Sequence, residues 1–257
     1  MISDLLATGT FTIRDAKPSD GEFIARNVLA AMGYEVFSCA EADPKIEIGS
    51  ASMNIHEAVV AFGEVCARHD TLYSFTRTRA ACVDGRPVGS LTAYSGDDYL
   101  PLRDLTWGLL NSIFDGSTLP EEGSPDILPE TSTVAIDEAD GLSAQSYSAQ
   151  LSKGNSSGTL PMEPECLPGE FYLDSMAILP EFRGRAYEYA GSTDRIGHIL
   201  MLDGIEEGRR KGFPRISLIV DKAKPRLKTY YSALGFRPDG EILFFGHLYD
   251  RMIKDLD

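Results

Sequence analysis

Phe171-Tyr-Leu-Asp-Ser-Met-Ala-Ile-Leu-Pro-Glu-Phe-Arg-Gly-Arg185 decides how the rest of the chain is read. Its first half is a strand. Phe171, Tyr172, Leu173, Met176, Ile178 and Leu179 are apolar or aromatic, and Pro180 ends any ladder. Arg183-Gly184-Arg185 makes a short basic loop. A helical pattern follows, with Ile196, Ile199, Leu200, Leu202 and Ile205 at mostly helical spacing. Ile216-Ser-Leu-Ile-Val220 is a second buried strand. A second helix runs from Pro225, a favourable first helical residue, to Leu234, and Gly235 ends it. Strand, basic loop and helix in this order set backbone N–H groups and a helix N-terminus against an anion. The two arginines add charge-assisted donors of the kind phosphates favour. The residues alone leave two readings open: a site for a phosphorylated cofactor, or an ordinary turn with solvated arginines.

Leu179-Pro-Glu-Phe-Arg-Gly-Arg185 resembles the LPEYRGKG opening of the acetyl-CoA loop in GNAT N-acetyltransferases. Lys224-Pro-Arg-Leu-Lys-Thr-Tyr-Tyr-Ser-Ala-Leu-Gly-Phe236 resembles that family's NPRAxxLYExLGF segment. Two motifs in the right order, separated by a helix and a strand, are more specific than either alone. Val220-Asp-Lys222 and Phe245-Gly-His-Leu-Tyr-Asp-Arg-Met252 look like the closing strands of a bacterial, small-molecule branch of the family. The resemblance covers about 171–252, while 11–108 agrees in element order. It implies one mixed α/β GNAT domain over 1–257. Its sheet is expected to be mostly antiparallel, with splayed parallel central strands at 171 and 216 and helices on its faces.

The resemblance also implies a chemistry: transfer of an acetyl group from acetyl-CoA to a primary amine, of a small molecule rather than a protein tail. The backbone of Met176, Ala177 and Ile178 is expected to pair with the pantetheine arm. Arg183, Gly184 and Arg185, with the helix start at Ile196 and Gly197, are expected to hold the pyrophosphate. Lys224 stands where the family usually has Asn, and either contacts a cofactor phosphate or is solvated. Tyr231 falls at the family's tyrosine, four residues before Gly235, and is expected to reprotonate the leaving thiolate. Tyr230 is adjacent, on a different face. Asp174 occupies the strand position where histone-type members carry a base glutamate; it is either the base or a structural carboxylate. Glu170 and Asp98 are further acidic candidates without motif support.

One departure matters. The family pattern is Arg-x-x-Gly-x-Gly/Ala, but here Ala186-Tyr-Glu-Tyr-Ala-Gly-Ser-Thr-Asp194 separates Arg185 from Arg195-Ile196-Gly197. Residues 186–194 read as an insertion in the cofactor loop. Gly197 then takes the second glycine position, and Arg195 replaces the first glycine. The alternative function follows from this: a GNAT-like module, weak or inactive as a catalyst, that binds CoA or serves as an interaction partner.

Composition sets outer bounds. The chain has 257 residues, 43 % hydrophobic and 25 % charged, enough to bury a real core. A net charge of −15 argues against nucleic acid or an anionic membrane as partner and is compatible with a cationic substrate. Cys39, Cys66, Cys82 and Cys166 lack metal-ligand spacing and read as reduced thiols of a cytoplasmic protein. His56, His69, His198 and His247 are scattered, so no metal site is expected. No leader pattern or membrane span is read. A monomer and a homodimer both stay open.

Taken in order, Phe11–Ala16 alternates like a strand, and Ser19 or Asp20 is placed to cap a helix through Met32 that ends at Gly33. Residues 34–55 read as a long polar connection, and His56–Arg68 as a second helix. Leu72–Val83 and Pro87–Tyr94 read as strands around Asp84-Gly85-Arg86, a hairpin signal. A helical stretch covers 97–114. Residues 115–169, rich in Ser, Pro, Glu and Gly, read as an insertion, either a lid or a surface loop.

Overall fold

The computed structural model describes residues 7–37, 45–48, 51–114, 117–123, 163–244 and 247–256. The stretch set apart as an insertion, 115–169, lies for the most part outside these residues. So does Cys39.

The chain opens with β1 (Phe11–Asp15), α1 (Gly21–Ala31), β2 (Lys45–Ile48), β3 (Ala51–Asn54) and α2 (Ile55–Cys66). Next come β4 (Thr78–Val83), β5 (Arg86–Ser95) and α3 (Tyr99–Phe114). The second half holds β6 (Glu170–Ile178), β7 (Ala186–Tyr189), β8 (Ser192–Arg195), α4 (Ile196–Arg210), β9 (Arg215–Asp221), α5 (Pro225–Ala233), β10 (Arg237–Phe244) and β11 (His247–Asp255). Among the described residues a seven-stranded sheet runs in the order β1-β4-β5-β6-β9-β11-β10. Its neighbours are antiparallel except β6 and β9, which run parallel. The mostly antiparallel α/β architecture read from the sequence is therefore the one observed.

Apolar residues on the two sheet faces build two cores. On one face Ile24, Val28, Val59, Phe62, Leu109 and Leu110 of the first three helices pack with Tyr94 and Tyr172 of the sheet. On the other, Ile196, Ile199 and Leu200 of α4 meet Leu91, Phe171, Leu173 and Leu218. Glycine lets α4 come close: a Cβ on Gly204 would lie 2.5 Å from Leu91 Cδ2, and one on Gly208 2.9 Å from the Phe171 ring. Arg251, 2 % exposed on β11, reaches across β9 to Glu170 at the start of β6 and also pairs with Asp239. A buried charge of this kind persists because it is paired on more than one side.

Four local readings change. Residues 34–55 contain a short antiparallel hairpin, β2 with β3, rather than connection alone. Leu72–Arg77 is not strand. The Ser74 hydroxyl accepts from the Thr76 N–H and the Thr78 hydroxyl donates to the Ser74 carbonyl, so side chains divert this backbone into a 3₁₀ turn. Neither Ser19 nor Asp20 caps α1 with its side chain. Asp20 instead accepts from Arg14 at 2.7 and 3.0 Å and from the Lys17 N–H at 2.8 Å. Residues 186–194 are no irregular loop: β7 and β8 pair as a hairpin. Its turn at Ala190 and Gly191 has φ of 49° and 80°, both positive, as a type I′ turn needs.

Candidate active site

The parallel pair holds for three residues: Glu170, Phe171 and Tyr172 face Arg215, Ile216 and Ser217. Beyond Tyr172 the strands part. The other edge of β6 stays paired with β5 as far as Ile178 opposite Gly89. A wedge thus opens between β6 and β9, and among the described residues the β9-facing backbone of Met176–Ile178 has no strand partner there. β6 also carries a bulge. Leu91 pairs with Met176 and Ala93 with Leu173, so Asp174 and Ser175 together oppose Thr92. The extra residue turns Asp174 toward the face of the first three helices, while Leu173 and Met176 both pack on the α4 side.

The basic loop closes the end of β6. After a 3₁₀ turn over Pro180–Phe182, Gly184 takes φ 78°, a conformation glycine adopts freely. Arg183 donates from Nε to the Ile178 carbonyl at 2.9 Å and lies over the Phe37 ring, 5.7 Å from its centroid. Arg185 lies over Phe182 at 5.4 Å. Both arginines are exposed. The β7–β8 hairpin is anchored to β1, with Tyr187 buried and stacked on Phe11 at 5.4 Å. It delivers the chain to Arg195, which precedes α4 in extended conformation and makes no side-chain cap. The first-turn N–H groups of this 15-residue helix are therefore left for an incoming acceptor. Ile196 is 1 % exposed with its side chain in the core, so its backbone alone can serve a ligand. Gly197 sits against β6, where an added Cβ would be 3.9 Å from the Met176 terminal methyl. Lys224 is exposed at the start of α5, with its N–H bonded to the Asp221 carbonyl at 2.8 Å.

The two adjacent phenols of α5 lie tilted against each other, ring centroids 5.4 Å apart, but meet different partners. Tyr231 packs into the α4-side core, edge-on to Phe236 at 6.1 Å. Its hydroxyl has no hydrogen-bond partner among the described residues, and burial raises its pKa. Tyr230 turns toward α4, where its hydroxyl lies 3.1 Å from Nδ1 of His198. Burial, Tyr231 and Asp194 push its pKa up to about 12. Nε2 of His198 lies 3.5 Å from Asp194.

Asp174 accepts from the Tyr94 hydroxyl and, at 2.6 Å, from the Ser175 hydroxyl. Close to it is a residue the sequence did not suggest. Glu165 is 5 % exposed and accepts from the Tyr172 hydroxyl at 2.8 Å and the Tyr99 hydroxyl at 3.2 Å. Burial, reinforced by the Asp174 charge, pushes Glu165 up to about 8, and burial raises Asp174 as well. The pair holds its protons more tightly than free carboxyls do. Nothing marked Glu165 beforehand, because it stands in the polar run Met162-Glu-Pro-Glu-Cys166. Glu170 is spent on Arg251, and Asp98 lies outside this cluster.

No protein-family model matches the sequence, and no curated protein matches it. Solved structures do. An acetyltransferase aligns over 96 % of this chain and 100 % of its own, with a TM-score of 0.56 and 20 % identity. An N-acetyltransferase from Staphylococcus aureus Mu50 aligns over 94 % and 99 %, with a TM-score of 0.57 and 18 % identity. The chain has the GNAT N-acetyltransferase fold. In that fold's terms, the wedge lies at the sheet's centre, the basic loop at its mouth, and α4 and α5 along one face.

Proposed function

We propose that this chain transfers an acetyl group from acetyl-CoA to a primary amine of a small molecule. The observation that carries the reading is the wedge. An extended pantetheine amide chain needs a strand edge to pair with, and the open edge of Met176–Ile178 offers one beside an uncapped helix N-terminus. In this reading Arg183, Gly184 and Arg185, with the N–H groups of Ile196 and Gly197, receive the pyrophosphate. Lys224 remains solvated. Tyr231 gives its free hydroxyl proton to the departing sulfur. Asp174, backed by Glu165, takes a proton from the incoming ammonium through water. The net charge of −15 favours a cationic acceptor.

Two measurements test it. Calorimetric titration with acetyl-CoA and CoA reads the site, and thiol release over a panel of primary amines reads the reaction. Binding of CoA without turnover of any amine supports the second reading, a CoA-binding interaction module. The observation favouring that reading is the β7–β8 hairpin, which stands between Arg185 and the α4 N-terminus.

A further inference from the structure

Backbone alternation settles which edge of β6 the Ile178 carbonyl faces. The Leu179 N–H bonds to the Val88 carbonyl at 2.8 Å, on the β5 side. In an antiparallel ladder, consecutive residues direct their N–H and C=O groups to opposite edges. Leu179 and Ala177 therefore serve β5, whereas Ile178, opposite Gly89, directs its N–H and carbonyl to the open edge. That carbonyl is not bare. It accepts from Nε of Arg183 at 2.9 Å, brought there as the chain turns over Pro180–Phe182. The guanidinium also lies over the Phe37 ring, and among the described residues it has no ion pair. Two demands thus meet on one side chain. An extended ligand needs the Ile178 carbonyl for one of its amide N–H groups, and the Arg183 charge needs an anion. A neutral carbonyl is a weaker partner for a guanidinium than a phosphate, which takes two of its N–H groups at once. A ligand with a diphosphate therefore draws Arg183 off the strand, while one without phosphate must displace it unaided.

We infer that Arg183 makes the chain selective for thioesters that carry a diphosphate: it covers the open-edge carbonyl of Ile178 until a diphosphate takes it. This rests on the transferase reading above, in which a pantetheine arm pairs with that edge. Recognition of the two halves of the cofactor is then coupled. The strand is competent only in the fraction of molecules whose Arg183 has left it, and apparent affinity for the arm is reduced by that fraction. Pyrophosphate raises the fraction, and by reciprocity the arm raises the affinity for pyrophosphate. Backbone pairing alone reads no such difference, since the amides of an extended arm are the same whether or not a phosphate follows. Arg183 determines specificity here and takes no part in the chemical step.

A neutral probe separates the two halves. S-acetylpantetheine carries the thioester and both amides of acetyl-CoA without any phosphate. Titrated into the full chain, it should bind about three- to tenfold more tightly in saturating inorganic pyrophosphate than without it, the scale of one net hydrogen bond. The probe is uncharged, so attraction between the two ligands does not produce that gain. Arg183→Ala should bind the probe alone as tightly as the pyrophosphate-loaded wild type does, and pyrophosphate should add nothing. The same variant should bind acetyl-CoA more weakly than the wild type. A side chain that only supports the loop gives no such crossing, because its loss weakens every ligand. A probe affinity that pyrophosphate leaves unchanged in the wild type, undetectable binding in both conditions included, overturns the proposal. It means that Arg183 spans the carbonyl and the phosphate at once. An Arg183→Ala variant that binds the probe no better than the wild type overturns it too. Failure of the wild type to bind acetyl-CoA is a separate result and removes the transferase reading instead.

Discussion

Glu165→Gln should flatten the dependence of stability on pH. Glu165 is 5 % exposed, receives two tyrosine hydroxyls and has the Asp174 charge close by. Burial and that charge move its pKa from 4.5 up to about 8. The sign follows from counting protons. An unfolded chain releases this proton near 4.5, whereas the folded chain holds it until about 8. Between those values the folded state binds more protons, so stability falls as pH rises. The contribution is complete below the lower value and lost on passing the upper one. At about 1.4 kcal/mol per pH unit across the window, the loss is on the order of 5 kcal/mol. Gln copies the protonated acid in shape: it accepts one tyrosine hydroxyl and donates to the other oxygen. The variant should therefore match the wild type at low pH and exceed it by several kcal/mol near pH 8. Asp174 is raised in the same direction, so the difference between wild type and variant isolates Glu165. Urea unfolding from about pH 5 to about pH 8, followed by the fluorescence of Trp107, the single tryptophan, reads both curves. A wild type whose stability is level across the window, or a variant that declines as steeply, refutes the reasoning.

Three further outcomes are expected. Arg183→Ala should weaken acetyl-CoA binding by roughly 1.5–3 kcal/mol, the scale of a charge-assisted hydrogen bond; unchanged affinity by calorimetry in a folded variant removes it from the pyrophosphate site. Tyr231→Phe should lower kcat by about 10²–10⁴-fold while acetyl-CoA still binds, because it removes a hydroxyl that makes no bond in the free protein; normal turnover shows that the sulfur is protonated elsewhere. Arg251→Leu leaves Glu170 buried without its cation and should cost about 3–5 kcal/mol in urea unfolding; a smaller loss means that water or protonation of Glu170 relieves the charge.

What was legible in the sequence tracks how local its cause is. The alternation of Phe171–Ile178, the helical spacing from Ile196 and the Pro225–Gly235 bracket each arise within a few residues, and each element stands where periodicity put it. The Asp84-Gly85 hairpin is equally local, with φ of 49° and 79°. Leu72, Tyr73 and Phe75 looked like strand because they are apolar and aromatic. The competing signal was Ser74 with Thr76 and Thr78, whose hydroxyls bond the backbone at close range. The pair Lys45–Ile48 and Ala51–Asn54 is too short to announce itself, since each strand exists through the other. Glu165 was beyond reach for a different reason. Its partners Tyr99 and Tyr172 come from α3 and β6, and no local pattern records such a meeting.

The β7–β8 hairpin shows how a departure from a family pattern can carry information of its own. Read as spacing, residues 186–194 interrupt the loop that should lead straight into the cofactor helix. Read as structure, they form a paired hairpin whose Tyr187 is buried on Phe11, so the interruption is as ordered as the strands around it. Its last strand brings Asp194 to a point four residues before His198, one helical turn along, where the carboxylate faces the ring. A direct connection from Arg185 to Ile196 would leave His198 without that partner. The two phenols of α5 are consecutive in sequence and chemically alike. They differ because one turns into an apolar core and the other meets a histidine whose orientation the hairpin sets. The segment that breaks the motif is thus the one that supplies the carboxylate facing the histidine that joins α4 to α5.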